Sequence, residues 1–464
     1  MATPTLYLGL GRRLDGPGTS HKRLVPARHL VTHGVVVGMT GSGKTGLLAV
    51  TLEEALRAGI PALVIDVKGD LPNLALAPPL GDAEALAPWL EEADGDDERP
   101  LGDRVAEAVG ARDRALTAWG LGGSEVEAFR ARTRVRVLTP GSTAGEPLHV
   151  LSSLERRSPL WDVDPESARA ALSAAVSLVL RLVGRDPEPA RSRDHVLLAV
   201  LAERRLRGGQ SADLASLLAD LERPPIDELG ALPLDTFLPR SERRSLSVAL
   251  NTLLASPTFE TWRQGATLDV GAWLAPDAEG RTQAVVVSVA HLDDEERALV
   301  LGVLLEETLA WVRSLPGSQQ LRALVVFDEV YGFLPPHPAN PPTKRPLVAL
   351  MKQARAFGVG VVVATQNPMD LDYRALGNAG VWCVGRLQTD ADRARVVDGL
   401  TGGGVDRQAT RKLVDTLGRL APRWFVLRDA HDGDEPGLLQ VRSTITLLRG
   451  PMTRGEMRRV AGAA

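Results

Sequence analysis

Gly38, Gly43, Lys44 and Thr45 stand at the spacing G-x-x-x-x-G-K-[ST] within Val35-Val36-Val37-Gly38-Met39-Thr40-Gly41-Ser42-Gly43-Lys44-Thr45. Glycines at these positions let backbone N–H groups converge on phosphate oxygens without Cβ atoms in the way. A following helix adds its unpaired N–H groups and the positive end of its dipole. The expected cradle is therefore Gly38, Thr40, Gly41, Ser42, Gly43, Lys44, Thr45 and Gly46. In it Lys44 reaches the β/γ-phosphates and the Thr45 hydroxyl ligates Mg²⁺. The apolar run before the loop and the amphipathic stretch Gly46–Arg57 after it supply the strand–loop–helix context this chemistry needs.

A second group of residues completes the chemistry expected of an ATPase. Leu324-Val325-Val326-Phe327 is a buried-strand run that ends in Asp328 and Glu329. Asp328 is expected to face the Mg²⁺ held at Thr45, and Glu329 to polarise a water for attack on the γ-phosphate. Asp66 closes the run Ala62–Val67, where a ligand would sit beyond the carboxyl ends of parallel strands; a turn or cap carboxylate is its structural alternative. Gln366 ends the run Val361–Thr365 and would lie near the γ-phosphate if its strand neighbours the loop strand. Arg355, in Lys352-Gln353-Ala354-Arg355, would stabilise transition-state charge in the next subunit of a head-to-tail ring. Arg386 and Arg393 are weaker candidates for that role or for a contact within the same subunit.

These residues require an open, mainly parallel α/β sheet. Strand-length apolar runs recur at Val35–Val37, Ala62–Val67, Val135–Leu138, Ala284–Val289, Ala323–Phe327, Val359–Ala364, Val381–Val384, Trp424–Leu427 and Leu438–Val441, mostly with helical stretches between them. Ser153 to Trp273 instead reads as helical, with Leu172, Val176, Val179, Leu180 and Val183 at helical spacing. His195 within it reads as a surface or core histidine. Asp293 with Glu296 marks the start of a long helix. The expected organisation is a short N-terminal β segment (1–30), a first ATPase part (31–152), an all-helical insertion (153–275), a second ATPase part (276–450) and a tail (451–464).

Composition narrows the class. The 464 residues include 54 basic and 58 acidic side chains, a net charge of −4, which excludes a uniformly basic surface for wrapping nucleic acid but not a basic pore. Cys383 is the only cysteine, so no intramolecular disulfide forms, as expected in a reducing compartment. No signal peptide is visible, and the longest apolar runs are far short of a membrane span. A cytoplasmic protein is expected.

The motifs resemble the HerA branch of the HerA/FtsK ATPases. The resemblance rests on Thr32-His33-Gly34 leading into the phosphate loop, on Asp66-Val67-Lys68-Gly69-Asp70 and Phe327-Asp328-Glu329, and on Lys352-Gln353-Ala354-Arg355-Ala356-Phe357-Gly358. Ala364-Thr365-Gln366-Asn367-Pro368-Met369-Asp370-Leu371-Asp372-Tyr373 adds to it. Gly385-Arg386-Leu387-Gln388-Thr389-Asp390 and Leu447-Leu448-Arg449-Gly450-Pro451 are similar to a bacterial HerA-like subgroup. The resemblance implies a RecA-like P-loop NTPase core, hexameric rings, and ATP hydrolysis coupled to translocation on double-stranded DNA. By the same resemblance Asp328 and Glu329 are the Walker B pair, Asp66 assists, Gln366 senses the γ-phosphate and Arg355 acts in trans. Few residues precede the loop, so the family's N-terminal β-barrel, which helps assemble the ring and dock a nuclease, is not expected here. A nuclease or other effector subunit is a possible partner. Two other classes stay open: a protein- or conjugation-type pumping ATPase, and a nucleotide-dependent switch or scaffold in a defence or repair complex.

Overall fold

Strands whose side chains are apolar on both faces form the centre of the molecule. The computed structural model describes residues 4–14, 20–90, 99–189, 191–368, 371–377, 379–401, 407–433 and 435–463. The acidic run 91–98 and Met369 and Asp370 of the Gln366 motif lie outside the described residues. The strands in chain order are β1 (Thr5–Arg13), β2 (His21–Pro26), β3 (Gly34–Val37), β4 (Ala62–Asp66), β5 (Thr133–Pro140), β6 (Glu146–His149), β7 (Glu228–Leu229), β8 (Leu232–Pro233), β9 (Ala266–Thr267), β10 (Thr282–Ser288), β11 (Ser318–Asp328), β12 (Phe357–Thr365), β13 (Val381–Val384), β14 (Trp424–Asp429) and β15 (Gly437–Val441).

All but the β7–β8 hairpin join one sheet in the order β2-β1-β15-β14-β13-β3-β12-β11-β4-β10-β5-β6-β9. From β13 to β9 every neighbouring pair is parallel. From β13 outward through β14, β15, β1 and β2 every pair is antiparallel. The period of two along each central strand sends alternate residues into two separate cores. Val35, Val37, Leu63, Ile65, Val325, Phe327, Val361 and Val363 face one. Val36, Val64, Val326 and Val362 face the other. Helix Lys44–Arg57 covers the second face. Helix Asp294–Ser314 covers the first and packs on Pro165–Leu182.

The helices of the 153–275 region belong to the same hydrophobic cluster as the first face of the sheet. Their starts are set by side-chain caps. Asp164, Ser192 and Asp213 accept from the backbone N–H groups of Ser167, His195 and Ser216. Besides helices the region carries the short β7–β8 hairpin and the edge strand β9. His195 is a core histidine, buried with Nε2 3.1 Å from the Ser173 carbonyl oxygen. Asp293 caps its long helix by accepting from the Glu296 N–H at 2.8 Å.

One buried ion cluster ties the chain ends to the helix that follows the phosphate loop. The Arg442 guanidinium, fully buried, donates to Glu53 Oε2 at 2.8 Å, to Glu54 Oε1 at 3.0 Å and to the Tyr7 carbonyl at 3.0 Å. Glu53 Oε1 also accepts from the Thr446 N–H and hydroxyl, each at 2.8 Å. Removing one member leaves charge buried without compensation, so Arg442→Ala should destabilise the fold by about 3–5 kcal/mol. Urea unfolding measures this; a loss under about 1 kcal/mol would mean the cluster is solvated and weak.

Candidate nucleotide site

The carboxyl ends of four adjacent strands, β3, β12, β11 and β4, carry the residues singled out by chemistry. Register places Thr365 beside Val37, Val363 beside Phe327, and Asp328 beside Asp66. Gly38, Gln366, Asp328, Glu329 and Asp66 therefore meet along one edge of the sheet.

The loop after β3 is fixed by its neighbours. The Met39 N–H donates to the Arg386 carbonyl at 2.9 Å, and the Arg423 N–H to the Ser42 carbonyl at 2.9 Å. Gly43 caps the helix at φ +97°, and Gly41 stands at φ +76°. Both are left-handed conformations that favour glycine. Lys44 opens the helix and folds back over the loop, its Nζ donating to the Gly38 carbonyl at 2.6 Å. Burial pulls its pKa down, an effect opposed by the nearby Glu329 and Asp328. Nothing lies within 4 Å of where a Cβ on Gly41 or Gly46 would stand, so the loop's mouth is open at both positions.

Four carboxylates gather opposite Lys44. Asp328 is 2% exposed, and its Oδ1 is buried without a hydrogen-bond partner. Burial first, then Glu329 and Asp66, push its pKa up to about 7. Asp66 is fully buried; its Oδ1 accepts from the N–H groups of Gly69 (3.0 Å) and Leu71 (3.4 Å), and its Oδ2 from the Ser288 hydroxyl at 2.8 Å. Its own pKa is pushed up to about 6, chiefly by burial. Burial also raises Asp70. Glu329 has the left-handed φ of +56°, rare for a residue with a side chain and concentrated at functional sites. Its Oε1 accepts from Lys68 Nζ at 2.7 Å and Gln366 Nε2 at 2.6 Å, with Lys44 Nζ 3.9 Å away. Gln366 Oε1 in turn accepts from the Thr40 hydroxyl. A polar chain thus runs from the loop through Gln366 to Glu329.

This environment fits a metal–polyphosphate group. Asp328 Oδ1 and Ser42 Oγ are buried polar atoms without partners, and Lys44 is bonded only to loop carbonyls it would exchange for phosphate. No cluster of three or more His, Cys, Asp or Glu side chains among the described residues could hold a metal alone. Mg²⁺ beside a polyphosphate takes one or two protein oxygens and completes its shell with phosphate and water. Thr45 and Asp328 are the residues that would supply them.

The crowded acids make a prediction about stability. In the unfolded chain both aspartates titrate near their ordinary value of about 3.9. In the folded chain Asp66 and Asp328 hold protons to about 6 and about 7. The folded state therefore binds more protons, and stability falls as pH rises from about 4 towards 7. With metal chelated, Asp328→Asn should be more stable than the parent at about pH 8, by an amount on the order of 2–4 kcal/mol that vanishes near pH 4. Thermal unfolding at the two pH values checks this.

The structure does not bring Arg355 to this edge. It precedes β12, whose nine residues separate it by about 30 Å of strand from the Gln366 end. Arg355 is exposed there, in a groove shared with Arg28, Lys352 and His431. Arg386 lies beside the loop, its Nε 3.3 Å from Met39 Sδ. Arg393 is bound to its own helix start, donating to Thr389 and Gln388 carbonyls. Two residues escaped the sequence reading as site members. Lys68 was visible only as a neighbour of Asp66. Arg423, held at φ +67° against the loop, carries no sequence signal.

The family described as Helicase HerA-like C-terminal matches residues 15–97, which contain the phosphate loop and Asp66. Comparison with curated proteins gives no match. Among solved structures, VirB4 of Thermoanaerobacter pseudethanolicus is similar at TM-score 0.51 and 13% identity, over 94% of this chain and 96% of that one. The plasmid coupling protein TrwB in complex with ADP and Mg²⁺ has TM-score 0.49 and 15% identity, over 97% and 98%. Residues 15–97, with the phosphate loop and Asp66, are thus similar to the HerA-like C-terminal family, and the chain as a whole shares the RecA-like fold of VirB4.

Proposed function

We propose that the chain binds ATP with Mg²⁺, hydrolyses it, and works as a hexameric ring that moves double-stranded DNA. The observation that carries the ATPase part is the convergence of Lys44, Asp328, Glu329 and Gln366 at the ends of adjacent strands. In this reading Lys44 exchanges the Gly38 carbonyl for a phosphate oxygen. Thr45 and Asp328 hold Mg²⁺, which screens charge on the phosphates. Glu329 orients the attacking water, fixed in place by Gln366, and Asp66 supports the acid cluster from its buried turn.

Arg355 sits too far from its own phosphate loop to serve it, and its exposure at the opposite edge suits action on a neighbour's site. Arg355→Ala should therefore lose turnover and recover part of it when mixed with Lys44→Ala subunits, because intact arginines then face intact loops. No recovery at any mixing ratio counts against action across an interface. The DNA part rests on the HerA-type signature. A ring multiplies a few basic pore side chains, which reconciles DNA binding with a net charge of −4. No helix among the described residues is long and apolar enough to cross a membrane. A nuclease or another effector subunit is a candidate partner.

ATP turnover of the full chain with and without duplex DNA tests the motor reading. Stimulation of about fivefold or more at low salt, falling steeply as salt is added, is expected. Turnover indifferent to DNA but raised by an unfolded polypeptide would instead identify a protein pump. Slow turnover indifferent to both would point to a switch or scaffold.

A further inference from the structure

The acids define one flank of the phosphate loop. Gln366, Glu329 and Asp66 come from β12, β11 and β4, all to one side of β3. On the other side of β3 stand β13 and β14. If the γ-phosphate faces Glu329, as the proposed ATPase activity requires, an extended triphosphate leads its nucleoside towards the β13–β14 flank. That flank begins with Arg423, the residue before β14, and its neighbour in space is Trp119.

We propose that Arg423 and Trp119 form the nucleobase subsite. Three features of Arg423 point to it. Its backbone is fixed against the loop: its N–H donates to the Ser42 carbonyl at 2.9 Å, and its carbonyl accepts from the Val441 N–H at 2.9 Å. It holds a left-handed φ of +67°, which a side-chain-bearing residue adopts only when its surroundings impose it. A Cβ on Gly43 would stand 3.2 Å from the Arg423 Cα and from its Cγ, so the arginine passes directly over the loop's last glycine. Its guanidinium is then anchored by donation to the Val441 carbonyl at 2.7 Å and lies 5.9 Å from the centroid of a Trp119 ring. Trp119 is partly exposed, and its carbonyl accepts from the Tyr7 hydroxyl at 3.4 Å. A planar cation held over an indole and exposed on its other face offers that face for a base to stack on, whatever the base's hydrogen-bonding edge. The inference rests on the proposed ATP site and adds to it that the base, and not only the phosphates, contributes affinity.

Calorimetry of the full chain with Mg²⁺ and either a non-hydrolysable ATP analogue or inorganic tripolyphosphate separates the two contributions. Arg423→Gly removes the side chain while accepting the backbone angle, and Trp119→Ala removes the ring. Each should weaken the analogue by roughly tenfold and leave tripolyphosphate within about twofold, with Trp119→Phe restoring most of the affinity. Unchanged analogue binding in both variants, or equal weakening of both ligands, would overturn the subsite. Lys44→Ala supplies the control, because it should weaken both ligands. Parent protein that binds neither ligand would refute the phosphate site itself and the subsite with it. Parent protein that binds tripolyphosphate through Lys44, with analogue affinity unmoved in both variants, would refute the subsite alone.

Discussion

Glu329→Gln should lower ATP turnover by about 10²–10⁴-fold, the range over which a positioned general base acts. Nucleotide affinity should stay within about threefold, since the phosphate contacts proposed for Lys44 and Thr45 remain. The substitution is nearly isosteric. The amide oxygen can still accept from Lys68 and Gln366, so the polar chain from Thr40 to residue 329 survives. What goes is the negative charge that polarises water. Steady-state turnover together with calorimetric binding reads both quantities. Turnover above about a tenth of the parent would remove Glu329 from its role, and lost binding would make it a structural residue.

Lys44→Ala should abolish turnover and weaken triphosphate binding by at least about a hundredfold, from the loss of a charge-assisted contact in a dry site. Its effect on the fold should be small. Lys44 donates only to loop carbonyls at Gly38 and Met39, and burial already penalises its charge. A thermal midpoint that stays put while binding disappears is the signature of a residue kept for its ligand. A large drop in midpoint with binding retained would mean that Lys44 holds the loop together instead.

The parallel half of the sheet was legible because a strand covered on both faces must be apolar at every position. Val35–Val37, Ala62–Ile65, Leu324–Phe327 and Val359–Ala364 could be nothing else once helical stretches separated them. The acids were legible for the same reason: Asp66 and Asp328 interrupt the apolar run where the strand leaves the core. The edge strands were less so. His21–Pro26 carries Lys22 and Arg23, and its pairing with β1 is set by neighbours rather than by its own pattern. The antiparallel pairing of β1 with β15 joins opposite ends of the sequence, which no local signal announces.

The residue types that meet at this edge were visible in the sequence, but their connections were not. Lys68 reaches Glu329 because the turn at Gly69, at φ +90°, delivers the lysine to the same edge. Gln366 binds Glu329 directly, which required knowing that β12 lies between β3 and β11. The separation of Arg355 from its own loop follows from the length and direction of β12, and only a three-dimensional fold supplies that.

A crystal structure of the full chain with Mg²⁺ and a non-hydrolysable ATP analogue decides whether triphosphate and metal sit at this edge of the sheet. The γ-phosphate should lie between Lys44 and Glu329, and the metal on the Thr45 hydroxyl with Asp328 facing it. A nucleotide bound elsewhere, or a metal held away from both Thr45 and Asp328, would contradict it.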